Sequence, residues 1–147
     1  MTSIINLIQR NQAEYREVSG IQMSVILSTE CSGGTLTILE KEVSVGAGSP
    51  THTCEHEDKV ILITEGNFTL YANGESYEAE KGANIFIPRG TLHSIINTGT
   101  QTGKLLITLT PAGHENFCKD LSINVKVFSK KRMVLQDVAS NYNVVMA

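Results

Sequence analysis

The sequence predicts an all-β domain, a sandwich or barrel of short antiparallel strands, on three observations. Short runs rich in Ile, Val, Thr and Leu alternate in period two. Glycine-containing turn signals punctuate these runs roughly every ten residues. One of those signals, Asn73-Gly74, lies directly between two runs. A two-residue type I′ hairpin needs positive φ at both central positions, and Asn-Gly tolerates that best. Many short antiparallel strands imply a closed or doubled sheet, because closure removes exposed edges.

In chain order, the first predicted strand runs from Ile21 to Thr29 and the second from Gly34 to Val43, separated by Gly33-Gly34. A long turn, Gly46-Ala47-Gly48-Ser49-Pro50, precedes a strand entered at His52 and then the run Val60 to Thr64. Asn67 to Ala72 and Glu75 to Ala79 flank the Asn73-Gly74 hairpin, and Lys81-Gly82 leads into Ala83 to Ile87. His93 to Asn97 follows Pro88-Arg89-Gly90, and Lys104 to Thr110 follows Thr98-Gly99. Helical patterning comes last. Phe117 and Leu121 are spaced i, i+4 over 113–121, with Glu115 in the first turn where the helix dipole favours an anion. A second helix is predicted from Ser129, as N-cap, to about Asn141, with Val134, Leu135 and Val138 as its apolar stripe.

With 147 residues, 41% of them hydrophobic and 18% charged, the chain suits one domain, residues 1–147, without linker or repeat. A domain of this length buries roughly 70% of its unfolded surface, so any metal would serve function rather than folding. Twelve basic and fifteen acidic side chains leave a net charge of -3, which excludes a polyanion-gripping surface and makes nucleic acid an unexpected partner. The N-terminal apolar stretch is broken by Asn6, Gln9 and Arg10, so neither a signal peptide nor a membrane span is expected, and the protein is expected to be cytoplasmic. Cys31, Cys54 and Cys118 are odd in number and widely spaced, which predicts reduced thiols.

Two histidines stand in informative settings. His52 follows the glycine-rich turn, and Cys54, two residues on, shares its strand face. An imidazole and a thiol on one inward face could hold a metal or a substrate. His93 opens a strand after a tight Pro-x-Gly turn that aims it at the barrel mouth. His56, among Glu55, Glu57 and Asp58, reads as solvent-exposed, with a substitute ligand role only if its loop folds inward; His114, after Pro111, reads as a surface or interface residue. Asn97 and Pro88 read as structural. A thiolate–imidazole nucleophile built on Cys54 and a Schiff-base role for Lys59 are both conceivable, but nothing supplies an orienting group, and an exposed strand-end lysine is commoner.

The stretch from Gly82 to Asn97 resembles the second motif of the cupin family: Gly82, five residues, Pro88-Arg89-Gly90, two residues, His93, three residues, Asn97. Gly46, His52 and Gly66 fall at the spacings of the first cupin motif. The resemblance spans about Gly34 to Pro111, and the run from Pro111 is similar to the tail of small single-domain cupins of the quercetin-dioxygenase-like type. It implies a jelly-roll β-barrel with a motif core at 34–111 and a helical tail at 112–147, an expected homodimer, and a site for one divalent metal. The ligand positions it implies are His52, Cys54, Lys59 and His93, so that two of the family's four ligands are kept. A thiolate at Cys54 still suits zinc, copper or iron. Lys59 in place of glutamate does not: a dication ~4 Å from an ammonium at an effective dielectric of ~20 meets a repulsion on the order of 8 kcal/mol. Binding would require Lys59 to swing out, deprotonate or pair with an acid, and Glu55, Glu57 and Asp58 are near in sequence.

The expected function is therefore a cupin-like protein, with no metal or a weakly held one, that keeps a small organic ligand among His52, Cys54, Lys59 and His93. The first alternative is a metal-dependent dioxygenase or isomerase in which His52, Cys54 and His93 ligate iron, zinc, manganese or copper. The second is a non-catalytic structural or dimerisation protein.

Overall fold

Alternation of side chains across a pleated strand puts every second residue of each run on one face, and the computed structural model sets those faces against each other in two antiparallel sheets. The structure describes residues 5–18, 20–114 and 144–146. Among these the strands are β1 (Glu14–Val18), β2 (Ile21–Leu27), β3 (Thr37–Val43), β4 (His52–Cys54), β5 (Asp58–Glu65), β6 (Phe68–Ala72), β7 (Glu75–Ala79), β8 (Asn84–Ile87), β9 (His93–Asn97), β10 (Gly103–Thr110) and β11 (Val144–Met146). The first sheet runs β1-β2-β3-β10-β5-β8 and the second β11-β4-β9-β6-β7. A single 3-10 turn, Arg10–Gln12, precedes β1. Among the described residues no helix is long and apolar enough to cross a membrane.

The core lies between the sheets. On β5 the inward residues are Lys59, Ile61 and Ile63; on β10 they are Leu105, Ile107 and Leu109. Phe68 and Leu70 on β6 and Ile95 on β9 close it from the second sheet. The inward face of β5 therefore carries one lysine in an otherwise aliphatic row, with Leu109 and Ile87 as its buried cross-strand neighbours.

The Asn73-Gly74 turn forms as expected: φ is 53° at Asn73 and 78° at Gly74, and Ala72 pairs with Glu75 across it. Asn97 ends β9 as a three-way clasp. Its amide Nδ2 donates to the carbonyls of Val43 (2.9 Å) and Gln101 (2.8 Å), and its Oδ1 accepts from the Gly99 N–H (2.9 Å). One buried side chain thus joins β3, β9 and the turn leading into β10. Asn97→Ala strands those backbone groups, and we expect a loss of about 3 kcal/mol, read as a lowered urea midpoint with an unchanged slope.

Three expectations need correction or fall outside the described residues. The first predicted helix beyond Gly113 and His114 and the whole of the second lie outside them, as does Cys118. The tail is not wholly helical, because Val144–Met146 form β11, which pairs with β4 over Val144↔Cys54, Val145↔Thr53 and Met146↔His52. Two adjacent β-branched valines suit that edge, and the added strand covers β4, which would otherwise leave backbone groups unpaired. The polar segment Glu14–Val18 forms β1, pairing with β2 across Gly20, although it carries no clear alternation.

Candidate functional site

His52 and His93 are direct cross-strand partners on β4 and β9, with ring centroids 4.5 Å apart. The two rings are held alike. His52 Nδ1 lies 2.7 Å from the Pro50 carbonyl and His93 Nδ1 lies 2.8 Å from the Thr91 carbonyl, in each case two residues upstream. A carbonyl only accepts, so each Nδ1 carries the proton and each Nε2 presents a lone pair. Lys59 reaches these lone pairs from the opposite sheet. Its Nζ stands 2.9 Å from His93 Nε2 and 3.4 Å from His52 Nε2, and the residue is only 6% exposed.

The electrostatics follow from burial and that ammonium. Burial first, and then the charge of Lys59, holds His52 well below the usual histidine range and lowers His93 to about 4. Both imidazoles are therefore neutral at pH 7, which is what accepting from an ammonium requires. Burial raises the Cys54 thiol, opposed by the charge of Lys59 and a hydrogen bond from it. Burial likewise raises the Glu57 carboxyl against the pull of Lys59.

The sequence expectation placed His52, Cys54, Lys59 and His93 at one site, and the structure brings His52, Lys59 and His93 together, with Cys54 beside Lys59. Lys59 is not an exposed strand-end residue, because its inward register on β5 commits its side chain to the interior. His114 is not on the surface either: it is 5% exposed, and burial holds it well below the usual histidine range. The segment carrying it is fastened by hydrogen bonds from Ala112 N to Gly34 O and from Gly113 N to Thr37 Oγ1. Of the nearby acids, Glu55 is exposed and Asp58 is taken by Arg89, which donates to its carboxylate through Nη2 (3.1 Å), Nε and the backbone N–H. Glu57 alone turns inward, 7% exposed. The sequence offers Glu57 only as one of three acids near Lys59 and gives no sign that His114 approaches Cys54. A glutamate in a run of charged residues looks solvated, and no spacing ties it to a histidine beyond β10. His56 is exposed as expected.

Residues 39–109 match the family model of the cupin domain. The chain is 31% identical over 81 residues to the uncharacterized protein MJ1618 of Methanocaldococcus jannaschii, a match covering 54% of this chain and 65% of that protein, a little under two thirds of its length. Its fold is similar to that of KdgF from Halomonas sp., with a TM-score of 0.68 and 18% identity over 77% of this chain and 99% of that one. It is also similar to the polyketide cyclase RemF from Streptomyces resistomycificus, with a TM-score of 0.63 and 24% identity over 73% of this chain and 80% of that one. The matches support a small cupin domain over residues 39–109. At these identities the structural likeness bears on fold alone.

Cupins often hold a divalent metal, and the corresponding residues here do not fit one. An ion bound by both Nε2 atoms at about 2.1 Å would stand where the Lys59 ammonium stands. Lys59 Nζ holds that place beside the two rings. Outside the barrel, a hollow of about 400 Å³ opens over Thr51, Tyr71, Asn73, Glu75 and Leu92. Thr51 and Leu92 immediately precede the two histidines, which themselves do not line it.

Proposed function

We propose that this cupin binds a small organic acid, with the Lys59 ammonium, carried on His52 and His93, as its recognition group. The observation that supports this reading is the Lys59 Nζ, set between the two sheets within hydrogen-bond distance of two imidazoles that burial keeps neutral. A carboxylate or enolate would add a hydrogen bond between opposite charges to those that Lys59 already makes to the two imidazoles. The two rings fix its position through their backbone-tied Nδ1 atoms, so a ligand would meet a preorganised donor. Buried, perturbed titratable groups gathered in one place favour a binding or catalytic centre over a purely structural or dimerising barrel. A metal-dependent dioxygenase or isomerase reading is less favoured, because the ammonium stands between the histidines it would use.

Thermal melting against a panel of small mono- and dicarboxylates tests the proposal. At least one acid raises the midpoint of the wild-type protein in proportion to the logarithm of its concentration, and Lys59→Met abolishes the rise. A panel without effect, or a rise that survives in Lys59→Met, overturns it.

A further inference from the structure

We propose that Cys54, Glu57 and His114 form a zinc site distinct from the histidine pair. One ligand atom from each of these three buried residues lies within 4.8 Å of the others. Zinc bonds of about 2.3 Å to sulfur and 2.0–2.2 Å to nitrogen or oxygen place tetrahedral ligand atoms roughly 3.3–3.8 Å apart, so small side-chain movements close the set. A second observation points the same way. Glu57 is 7% exposed, and its Oε2 is buried with no hydrogen-bond partner among the described residues. A desolvated carboxylate oxygen left in that state is costly, and a cation offsets the cost.

The three ligands come from separately anchored pieces of backbone. Cys54 ends β4, where its carbonyl accepts from the Gly90 N–H at 2.9 Å. Glu57 precedes Asp58, which Arg89 pins, and His114 follows the segment hydrogen-bonded to Gly34 and Thr37. The site shares Cys54 with the positions the cupin resemblance implies, and charge separates it from the histidine pair. At the histidine pair a dication would meet two neutral rings and an ammonium. Here a thiolate and a carboxylate together cancel its charge, and Lys59 donates toward the Cys54 sulfur rather than confronting an uncompensated ion. On binding, the thiol releases its proton to solvent. A set of one sulfur, one nitrogen and one oxygen selects zinc over magnesium, calcium or manganese, and three protein ligands leave a fourth position open.

Titration of the reduced, chelator-stripped full chain with Co²⁺ and then Zn²⁺ tests this. The expected result is one cobalt per chain, a near-ultraviolet sulfur-to-cobalt charge-transfer band and the visible bands of a tetrahedral ion, all erased by one equivalent of zinc. Cys54→Ser removes the charge-transfer band, whereas Cys31→Ser and Cys118→Ser keep it. Glu57→Gln, nearly isosteric, weakens binding beyond the ~10–100-fold typical of losing a mere neighbour of a ligand. Its metal-free melting temperature stays at or above that of the wild type, which separates lost ligation from lost folding. His52→Gln and His93→Gln keep the stoichiometry and the band. Absence of cobalt binding, wild-type binding by Cys54→Ser or Glu57→Gln, or a dependence on His52 and His93 overturns the proposal. None of these outcomes depends on the carboxylate-binding role of Lys59.

Discussion

Lys59→Glu turns the histidine pair into a divalent-metal site. In the wild-type chain the two Nε2 lone pairs converge on an ammonium 2.9 and 3.4 Å away. A dication brought to ~4 Å from that charge at an effective dielectric of ~20 is opposed by on the order of 8 kcal/mol, and a carboxylate in its place attracts with equal size. The rings need no rearrangement, because their Nδ1 protons are already committed to the Pro50 and Thr91 carbonyls. The position on β5 is the one at which the cupin resemblance expects a glutamate, and its side chain is already committed to the interior. Elemental analysis after dialysis against manganese, which the sulfur-containing set disfavours, is expected to find one ion per chain in Lys59→Glu that the wild type lacks. Adding His93→Ala removes it. If Lys59→Glu gains no ion, or keeps it after His93→Ala, the ammonium is not what keeps metal from the pair.

The folded state loses stability steeply between pH 6.5 and about 4. His93 has a native value of about 4, against roughly 6.5 in an unfolded chain, so over that window the unfolded state binds a proton that the native state refuses. The contribution is complete above the unfolded value and is lost as pH falls, and for His93 alone it is on the order of 3 kcal/mol. His52 and His114 are depressed for the same leading reason, burial, and act in the same direction. Glu57, raised by burial, opposes them in part, since its native form takes up a proton before the unfolded one does. Guanidinium midpoints measured from pH 7.5 to 4.5 should fall, and His93→Gln should flatten the fall. Equal pH slopes for the wild type and His93→Gln would exclude His93 as the source.

Much of the scaffold was legible along the chain because its signals are local. The limits of Glu75–Ala79 and His93–Asn97 match the predicted ones, since a turn of defined chemistry bounds each of them. Three residues at His52–Cys54 and three at Val144–Met146 are too few for period two to delimit a strand, and the polar run Glu14–Val18 has no clear alternation to detect. The face of β5 was not legible either. Val60 and Leu62 are as apolar as Ile61 and Ile63, so the pattern does not say which row faces inward, and a one-residue slip would expose Lys59.

By itself, the sequence determined an all-β domain with a cupin-like pair of motifs, and it singled out His52, Cys54, Lys59 and His93 as the residues to watch. Turn chemistry, alternation and motif spacing are properties of neighbouring residues, so they survive in one dimension. Only the tertiary structure decided that the Lys59 ammonium occupies the place of an ion, because that requires a side chain from one sheet to meet two rings on the other. Only it brought Glu57 and His114 to Cys54. Which side chains share the low-dielectric interior depends on strand register and on the packing of one sheet against the other.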